Sequence, residues 1–344
     1  MRPEIESILA CPIDRLPLAR EGEGWLACPE GHRHPVFDDV AFLLTDQGEP
    51  TMEVLERSRE RVRNSASGDA RAPELYLETL GLTEEDRQAI VRLRDSGEQG
   101  IDPVVQHMVA ATCGMGYREA IGRLEGYPIP VLPAPEGRGR VLLDIGCNWG
   151  RWTFAAERAG YHAVGIDPQL GAVMAARRVA RQLGSEATFI CADARYLPFA
   201  AESVDLAFSY SVLQHFSDAD CYASIREAAR VLRSGGTAMI QLANALGVRS
   251  LYHQARRGLR APQGFEVRYR MPAALVRNVA GIVGNARLTA DCYLGLGLQA
   301  SDMEILSPLA RLATRLSEAG KAVSRAFPPF ARLADGVYIQ ATKP

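Results

Sequence analysis

The sequence predicts an α/β fold: a doubly wound, mostly parallel sheet preceded by a small β-rich module and a helical segment. Three observations carry this. From residue 137 onward, short apolar runs alternate with segments of helical period. Just before them, Tyr127-Pro128-Ile129-Pro130-Val131-Leu132-Pro133-Ala134-Pro135 places four prolines in nine residues. Residues 1–48 concentrate Cys, His, Pro and Gly. Strands alternating with helices form a parallel sheet covered on both faces, and ligands of such sheets sit at the carboxyl ends of the strands.

The elements follow in order. Val36–Leu44 reads as short β structure, too small to bury much core by itself. Residues 51–126 read as helices. Thr83-Glu84-Glu85-Asp86 is an N-terminal signature, a capping hydroxyl followed by acids in the first turn, and Gly97 and Gly100 are expected to stop that helix. The proline run is a stiff linker. Val141–Ile145 then reads as a buried strand, and Thr153–Ala159 as a helix closed by Gly160. His162–Ile166 is a strand, Leu170–Leu183 a helix, Thr188–Cys191 and Val204–Ser209 strands, and Asp218–Leu232 a helix. Ser234-Gly235-Gly236 is expected to turn into the strand Thr237–Leu242. Residues 309–327 form an amphipathic helix with Leu309, Leu312, Leu316 and Val323 on one face. The expected division is a module at 1–48, a helical cap and linker at 49–135, and a ligand-binding domain at 136–344 with an insert near 243–285.

Composition narrows the class. The chain has 344 residues, 47% of them hydrophobic, and a net charge of −2. A general binder of nucleic acid carries a basic excess, so DNA is not an expected partner and RNA is disfavoured. The basic residues are 37 Arg and 2 Lys, which we read as the base composition of a GC-rich bacterial genome. Without a run of about 18 apolar residues, no membrane span and no membrane partner are expected. The acidic start, Met1–Glu6, lacks the layout of a signal peptide. Seven scattered Cys are not a disulfide framework. A cytoplasmic protein with reduced thiols is the expectation.

The chemistry concentrates at Val141-Leu142-Leu143-Asp144-Ile145-Gly146-Cys147-Asn148-Trp149-Gly150-Arg151, a strand running through a glycine-rich turn into a helix. The dinucleotide fingerprint needs glycines at 146, 148 and 151; the chain has Gly146, Asn148 and Arg151. The phosphate-binding Gly-Lys-Ser/Thr turn is also missing. Asp144 at the strand end repels phosphate and welcomes a cationic cofactor without one; alternatively it is a helix-capping carboxylate. Asp167, 21 residues after Gly146, ends the next strand where a carboxylate can hold ribose hydroxyls, or it forms an Asp-Pro turn with Pro168.

The ordered series resembles the class I S-adenosylmethionine-dependent methyltransferases. It comprises Asp144-x-Gly146-x-Asn148-x-Gly150, Asp167, Ala192-Asp193-Ala194, Leu197-Pro198-Phe199, Val204-Asp205, Ser211–Phe216 and Arg230–Thr237. Asn148 departs from the glycine many relatives carry, but Asn tolerates positive φ. The resemblance implies a seven-stranded, Rossmann-like sheet whose last strands lie near 286–293 and 335–342. It implies that Gly146, Cys147, Asn148 and Gly150 bring the backbone to S-adenosylmethionine. Asp144 then serves the donor's amino group, and Asp167 with Pro168 its ribose. Asp193 and Ala194 meet the adenine, and Ser209 and Gln214 line the donor pocket.

The donor's sulfonium already activates the methyl group, so positioning dominates. A base matters for a hydroxyl or protonated amine acceptor. His215 is the first candidate for that role, or else it shapes the pocket; Tyr210 is the second. Cys147 and Cys191 read as small core residues. Tyr117 or Tyr127 is placed near the methyl group by position.

Cys11-Pro12-Ile13-Asp14 and Cys28-Pro29-Glu30-Gly31-His32 form a degenerate zinc ribbon. It resembles the N-terminal zinc module of bacterial ribosomal-RNA guanine methyltransferases, with Asp14 in place of a second Cys. Zinc accepts Asp oxygen, so Cys11, Asp14, Cys28 and His32 are the candidate ligands, with His34 a possible substitute. The other reading is a ribbon that has lost its metal and survives on packing.

The insert carries Arg249, Arg256, Arg257, Arg260, Arg268, Arg270 and Arg277 against Glu266. This is either an Arg-lined mouth for an anionic small-molecule acceptor or a solvated face. The leading function is methyl transfer to a small molecule or glycan precursor, at O, N or C. The alternatives are a ribosomal- or transfer-RNA base methyltransferase, or a non-catalytic protein that binds S-adenosylmethionine and docks a partner.

Overall fold

The computed structural model describes the chain except residues 23, 48–52, 66–76, 78–79, 81, 97–99, 113–123, 296–301 and 304–305. Gly97, Tyr117 and the expected 48/49 boundary lie outside the described residues. The chain forms two compact units: Met1–Met108 with Glu125–Asp205, and Val109–Leu124 with Leu206–Pro344.

The first unit opens on α1 (Pro3–Glu6) and four short strands: β1 (Ala19–Arg20), β2 (Trp25–Ala27), β3 (Arg33–Phe37) and β4 (Val40–Phe42). Three helices follow, α2 (Glu53–Ser65), α3 (Glu84–Asp95) and α4 (Pro103–Thr112). Thr83 caps α3 as its sequence requires, its hydroxyl accepting from Asp86 N at 3.2 Å. The helix stops at Asp95, before Gly100. After the linker come β5 (Val141–Ile145), α5 (Arg151–Arg158), β6 (His162–Asp167), α6 (Leu170–Leu183) and β7 (Thr188–Cys191).

The hydrogen-bonded order of this unit is β1-β2-β3-β4-β7-β6-β5. β5, β6 and β7 are parallel, with Asp144 opposite Gly165 and Asp167 opposite Cys191. All five residues of β5 are buried, as expected of a strand covered on both faces. The N-terminal strands extend this same sheet: β4 pairs parallel with β7, Ala41 opposite Ile190, and Ala10 N donates to Pro198 O at 3.0 Å. A unit with so little core of its own gains burial by continuing a larger sheet; Val40, Ala41 and Leu43 are fully buried there. β8 (Val204–Tyr210) starts in this unit, where the Asp205 carboxylate accepts from Val141 N at 2.7 Å.

The second unit continues β8 into a single 3-10 turn, Leu213–His215, followed by α7 (Asp218–Val231), β9 (Leu232–Ala243), α8 (Val248–Arg256), α9 (Pro272–Ile282), β10 (Asn285–Cys292), α10 (Pro308–Ala326) and β11 (Gly336–Thr342). Its order is β8-β9-β11-β10, with β11 antiparallel to both neighbours. β5 to β11 are thus the seven strands expected of a class I methyltransferase fold, and the last two fall where the sequence placed them. β9 starts at Leu232, ahead of the expected Thr237. The reason is long-range: Gly235 N donates to Lys343 O and Lys343 N to Gly236 O, both at 2.9 Å. The chain beyond β11 thereby pairs with the glycines and carries the strand through them, with Gly235 left-handed at φ 78°. Among the described residues no helix is long and apolar enough to cross a membrane.

Candidate functional site

The turn after β5 is built on left-handed backbone. Gly146, Asn148 and Gly150 have φ of 80°, 50° and 89°, a region glycine enters freely and Asn tolerates. Gly150 is also required by space, since a Cβ there sits 2.7 Å from the Phe154 ring and 2.8 Å from that of Phe189. Gly165, opposite Asp144, is required by close approach alone: its Cβ would meet Thr153 Oγ1 at 2.6 Å. Asn148 closes the turn, its side-chain oxygen accepting from Trp149 N at 2.9 Å.

Two carboxylates face this turn. Asp144 is buried and accepts from the Thr153 hydroxyl at 2.7 Å. Asp167 accepts from Asn148 N at 3.0 Å and Gln169 N at 2.9 Å. Among the described residues no cation pairs with either. Burial pushes Asp144 up to about 7, with the charge of Asp167 adding to it, and burial pushes Asp167 up to about 6. A buried acid is raised when nothing compensates its charge. The turn therefore fits a ligand that brings positive charge and hydrogen-bond donors and carries no phosphate. Cys147 and Cys191 are buried and their thiols are raised by that burial, so neither is a thiolate nucleophile.

Asp193 and Ala194 follow β7. Ala194 is buried. Asp193 is committed to Arg195, which donates its backbone N at 2.8 Å, Nη2 at 2.8 Å and Nε at 3.2 Å. Both side chains are buried. An adenine amino group reaching Asp193 shares that carboxylate with an arginine two residues away, a partner the motif reading did not include.

Further contacts were missed by sequence reasoning. Ser58 of α2 accepts from Leu170 N at 3.1 Å, capping α6, whose own N-cap residue Gln169 supplies no side-chain cap. Tyr127 of the linker lies with its ring centroid 5.8 Å from that of Trp149. Its hydroxyl accepts from Asp102 N at 2.7 Å and also pairs with Gln182. Asp102 in turn binds Arg178 at 2.6 Å. The proline run thus lies against the glycine turn. Thr153 could have been found as the first-turn hydroxyl on the buried side of α5; Ser58 and Asp102 carry no local signal.

In the second unit, Ser209 is buried and Tyr210 donates its hydroxyl to Asp291 at 3.1 Å. Gln241 Nε2 donates to the same oxygen at 3.0 Å, and Ser211, at φ 59°, donates N and Oγ to Gln241 Oε1 at 2.9 and 2.8 Å. Gln214 Oε1 accepts from Ala243 N at 2.9 Å. His215 donates Nδ1–H to Phe265 O at 2.7 Å, a tautomer assigned from that carbonyl, and stacks on the Phe265 ring at 3.9 Å. Burial lowers its pKa, and its Nε2 lies 3.5 Å from Gln214 Nε2.

Five of the seven insert arginines are engaged internally, Arg249 through His253 Nε2 at 3.3 Å and Leu294 O at 3.5 Å. Arg257 and Arg260 reach Glu266 at 3.9 and 2.6 Å. Arg268 donates to His215 O at 2.5 Å. Arg270 binds Asp218 at 2.9 Å and the carbonyls of Leu213 and Phe216 at 3.0 and 2.8 Å. Arg268 and Arg270 therefore hold the 213–216 turn.

The N-terminal knuckles converge. Ligand atoms of Cys11, Asp14, Cys28 and His32 all lie within 4.8 Å of one another. Cys28 Sγ is 3.0 Å from Asp14 Oδ2 and 3.4 Å from His32 Nδ1, which lies 2.8 Å from the same oxygen and 3.7 Å from Cys11 Sγ. Leu16 N holds Asp14 Oδ1 at 2.9 Å, leaving Oδ2 for the cluster. Two sulfurs, one nitrogen and one oxygen converging at this spacing fit tetrahedral zinc. His34 Nε2 lies 3.5 Å from Cys11 Sγ, beside the four.

Comparison with known proteins gives the same direction. Residues 142–236 match the methyltransferase domain family. The biotin biosynthesis bifunctional protein BioHC of Cellvibrio japonicus is 36% identical over 125 residues, 36% of this chain and 23% of that protein. The ubiquinone biosynthesis O-methyltransferase of Azorhizobium caulinodans is 27% identical over 107 residues, 31% of this chain and 42% of that one. The chain spans less than half the length of these curated relatives. Among solved structures, the Haloferax volcanii complex of the Trm112 methyltransferase activator with a methyltransferase matches with a TM-score of 0.44 at 17% identity, over 77% of this chain and all of that one.

Proposed function

We propose that residues 142–236, which match the methyltransferase domain family, form a class I S-adenosylmethionine-dependent domain, and that the protein transfers a methyl group to a small-molecule acceptor. The observation that carries the reading is the Asp144–Asp167 pair: two carboxylates at a glycine turn, raised by burial. S-adenosylmethionine supplies a sulfonium, an ammonium and ribose hydroxyls, and the activated methyl group. Asp167 holds the ribose beside Pro168, and Asp144 the amino end. Gly146, Cys147, Asn148 and Gly150 give the backbone its close approach. Ala194 packs on the adenine, with Asp193 shared between its amino group and Arg195. Ser209 and Gln214 carry the donor-binding role that the sequence resemblance gives them.

For a hydroxyl acceptor, His215 is the base. Its Nδ1–H is fixed on the Phe265 carbonyl, which leaves Nε2 to take the proton. Tyr210, oriented by Asp291, positions the acceptor. A small-molecule acceptor is supported by the relatives named for biotin and ubiquinone biosynthesis. The N-terminal cluster is proposed to hold structural zinc through Cys11, Asp14, Cys28 and His32. The test is incubation of the purified protein with methyl-labelled S-adenosylmethionine and a bacterial extract. Label in a low-mass product supports the reading; label retained in RNA contradicts it.

A further inference from the structure

We propose that the second unit docks on the surface of an anionic lipid bilayer through the outward faces of α8 and α10. α10 is amphipathic the wrong way round for a core helix. Leu309, Leu312, Leu316 and Val323 are 51–78% exposed, while Thr314, Ser317 and Ser324 are buried. At about 100° per residue the four apolar side chains fall within an arc of about 60°. Exposed Phe327 follows directly.

The helix cannot roll to bury this stripe, because its inner face is fixed by specific contacts. Ser317 Oγ accepts from Tyr293 N at 2.9 Å. Gly320 lies against the Tyr293 ring, where a Cβ would come within 2.7 Å. α8 repeats the pattern, with Val248, Leu251 and Tyr252 51–66% exposed. Both helices are tied to one turn: Asp335 accepts from Ser250 N of α8 and from Leu294 N, next to Tyr293.

Charge selects the occupant. Residues 248–260 contain Arg249, Arg256, Arg257 and Arg260 and no acid; Arg257 and Arg260 are paired with Glu266, which leaves Arg249 and Arg256 for an outside anion. Arg249 and Arg256, seven apart, run along one edge of the apolar arc of α8. On α10, Arg315 borders the stripe, and neither Arg315 nor Arg256 has a carboxylate partner among the described residues. Apolar faces bordered by arginine, on helices too short or too polar to span, suit the headgroup region of an anionic membrane. A second copy of the same face sets Arg against Arg. The sequence expectation of no membrane contact rested on the missing span, which says nothing of a surface helix.

The experiment is co-sedimentation of the full chain with phosphatidylcholine vesicles, with and without one third phosphatidylglycerol. The bound fraction is expected to rise about tenfold with the anionic lipid and to fall with salt. Leu312→Glu with Leu316→Glu changes exposed positions, so the fold is retained, as checked by circular dichroism; vesicle binding is expected to fall at least about tenfold. Arg249→Gln, Arg256→Gln and Arg315→Gln together are expected to remove the preference for anionic vesicles. A chain that stays in solution with both vesicles, or leucine variants that bind like the parent, overturns the proposal. So does a lipid-free dimer abolished by the leucine changes without any vesicle binding, which assigns the face to a second copy. None of these outcomes bears on methyl transfer.

Discussion

Asp144 and Asp167 set the electrostatic demand of the site, and that demand has a measurable sign. Both acids have folded-state pKa values raised, to about 7 and about 6, above the usual value near 3.9. The folded state therefore holds protons that the unfolded chain has already released. Their contribution to stability is present below about pH 4 and is lost as pH rises through 6 to 7. The ligand-free protein is expected to melt at a lower temperature at pH 8 than at pH 5.5, and Asp144→Asn to flatten that dependence in a calorimetric scan. Melting temperatures that do not differ between Asp144→Asn and the parent across this range contradict the burial argument. His215 makes a prediction in rate. A neutral base with a lowered pKa places the acid limb of kcat/KM below pH 6.5, and His215→Gln is expected to cost about 10²–10⁴-fold with a hydroxyl acceptor. Unchanged activity leaves His215 as a packing residue.

At the scale of elements, the site depends on how helices start. α6 begins beside Asp167 and lacks a cap of its own, so Ser58 of α2 supplies it. Ser58→Ala is expected to destabilise the protein by about 1 kcal/mol, read by urea unfolding; a change below a few tenths means Leu170 N finds water instead. Gly150→Ala combines left-handed strain with a clash on two phenylalanine rings and is expected to cost about 2–4 kcal/mol. The turn was legible because its signals are local: a buried strand, glycines at fixed offsets and an acid at each strand end. Ser58 and Asp102 were not, because they depend on which helix lands where; the Arg195 pairing with Asp193 is local, and was passed over because the motif assigns that carboxylate to a ligand. The start of β9 escaped for the same reason. Ser234-Gly235-Gly236 reads as a turn until the chain after β11 pairs with it.

At the scale of the molecule, the N-terminal module was legible as a knuckle pair and illegible as part of the sheet. Cys11, Asp14, Cys28 and His32 announce themselves by spacing. The pairing of β4 with β7 joins residues about 150 apart and leaves no local trace. The pairing gives the proposed zinc a structural reach beyond its own ribbon. Purified protein is expected to carry about one zinc per chain by elemental analysis, and Cys28→Ser to lose it with a lowered melting temperature. Metal-free protein with an unchanged melting temperature contradicts a structural metal. The near balance of charge over the whole chain conceals its arrangement: uncompensated acids at the glycine turn of one unit, arginines on the helices of the other.

The central claim is that the glycine turn and its two acids bind S-adenosylmethionine, and calorimetric titration of the folded protein tests it most directly. One site per chain is expected, with Asp167→Ala weakening binding by about 10–100-fold through lost charge-assisted hydrogen bonds. Absence of binding by folded protein, or equal affinity in Asp167→Ala, contradicts the account.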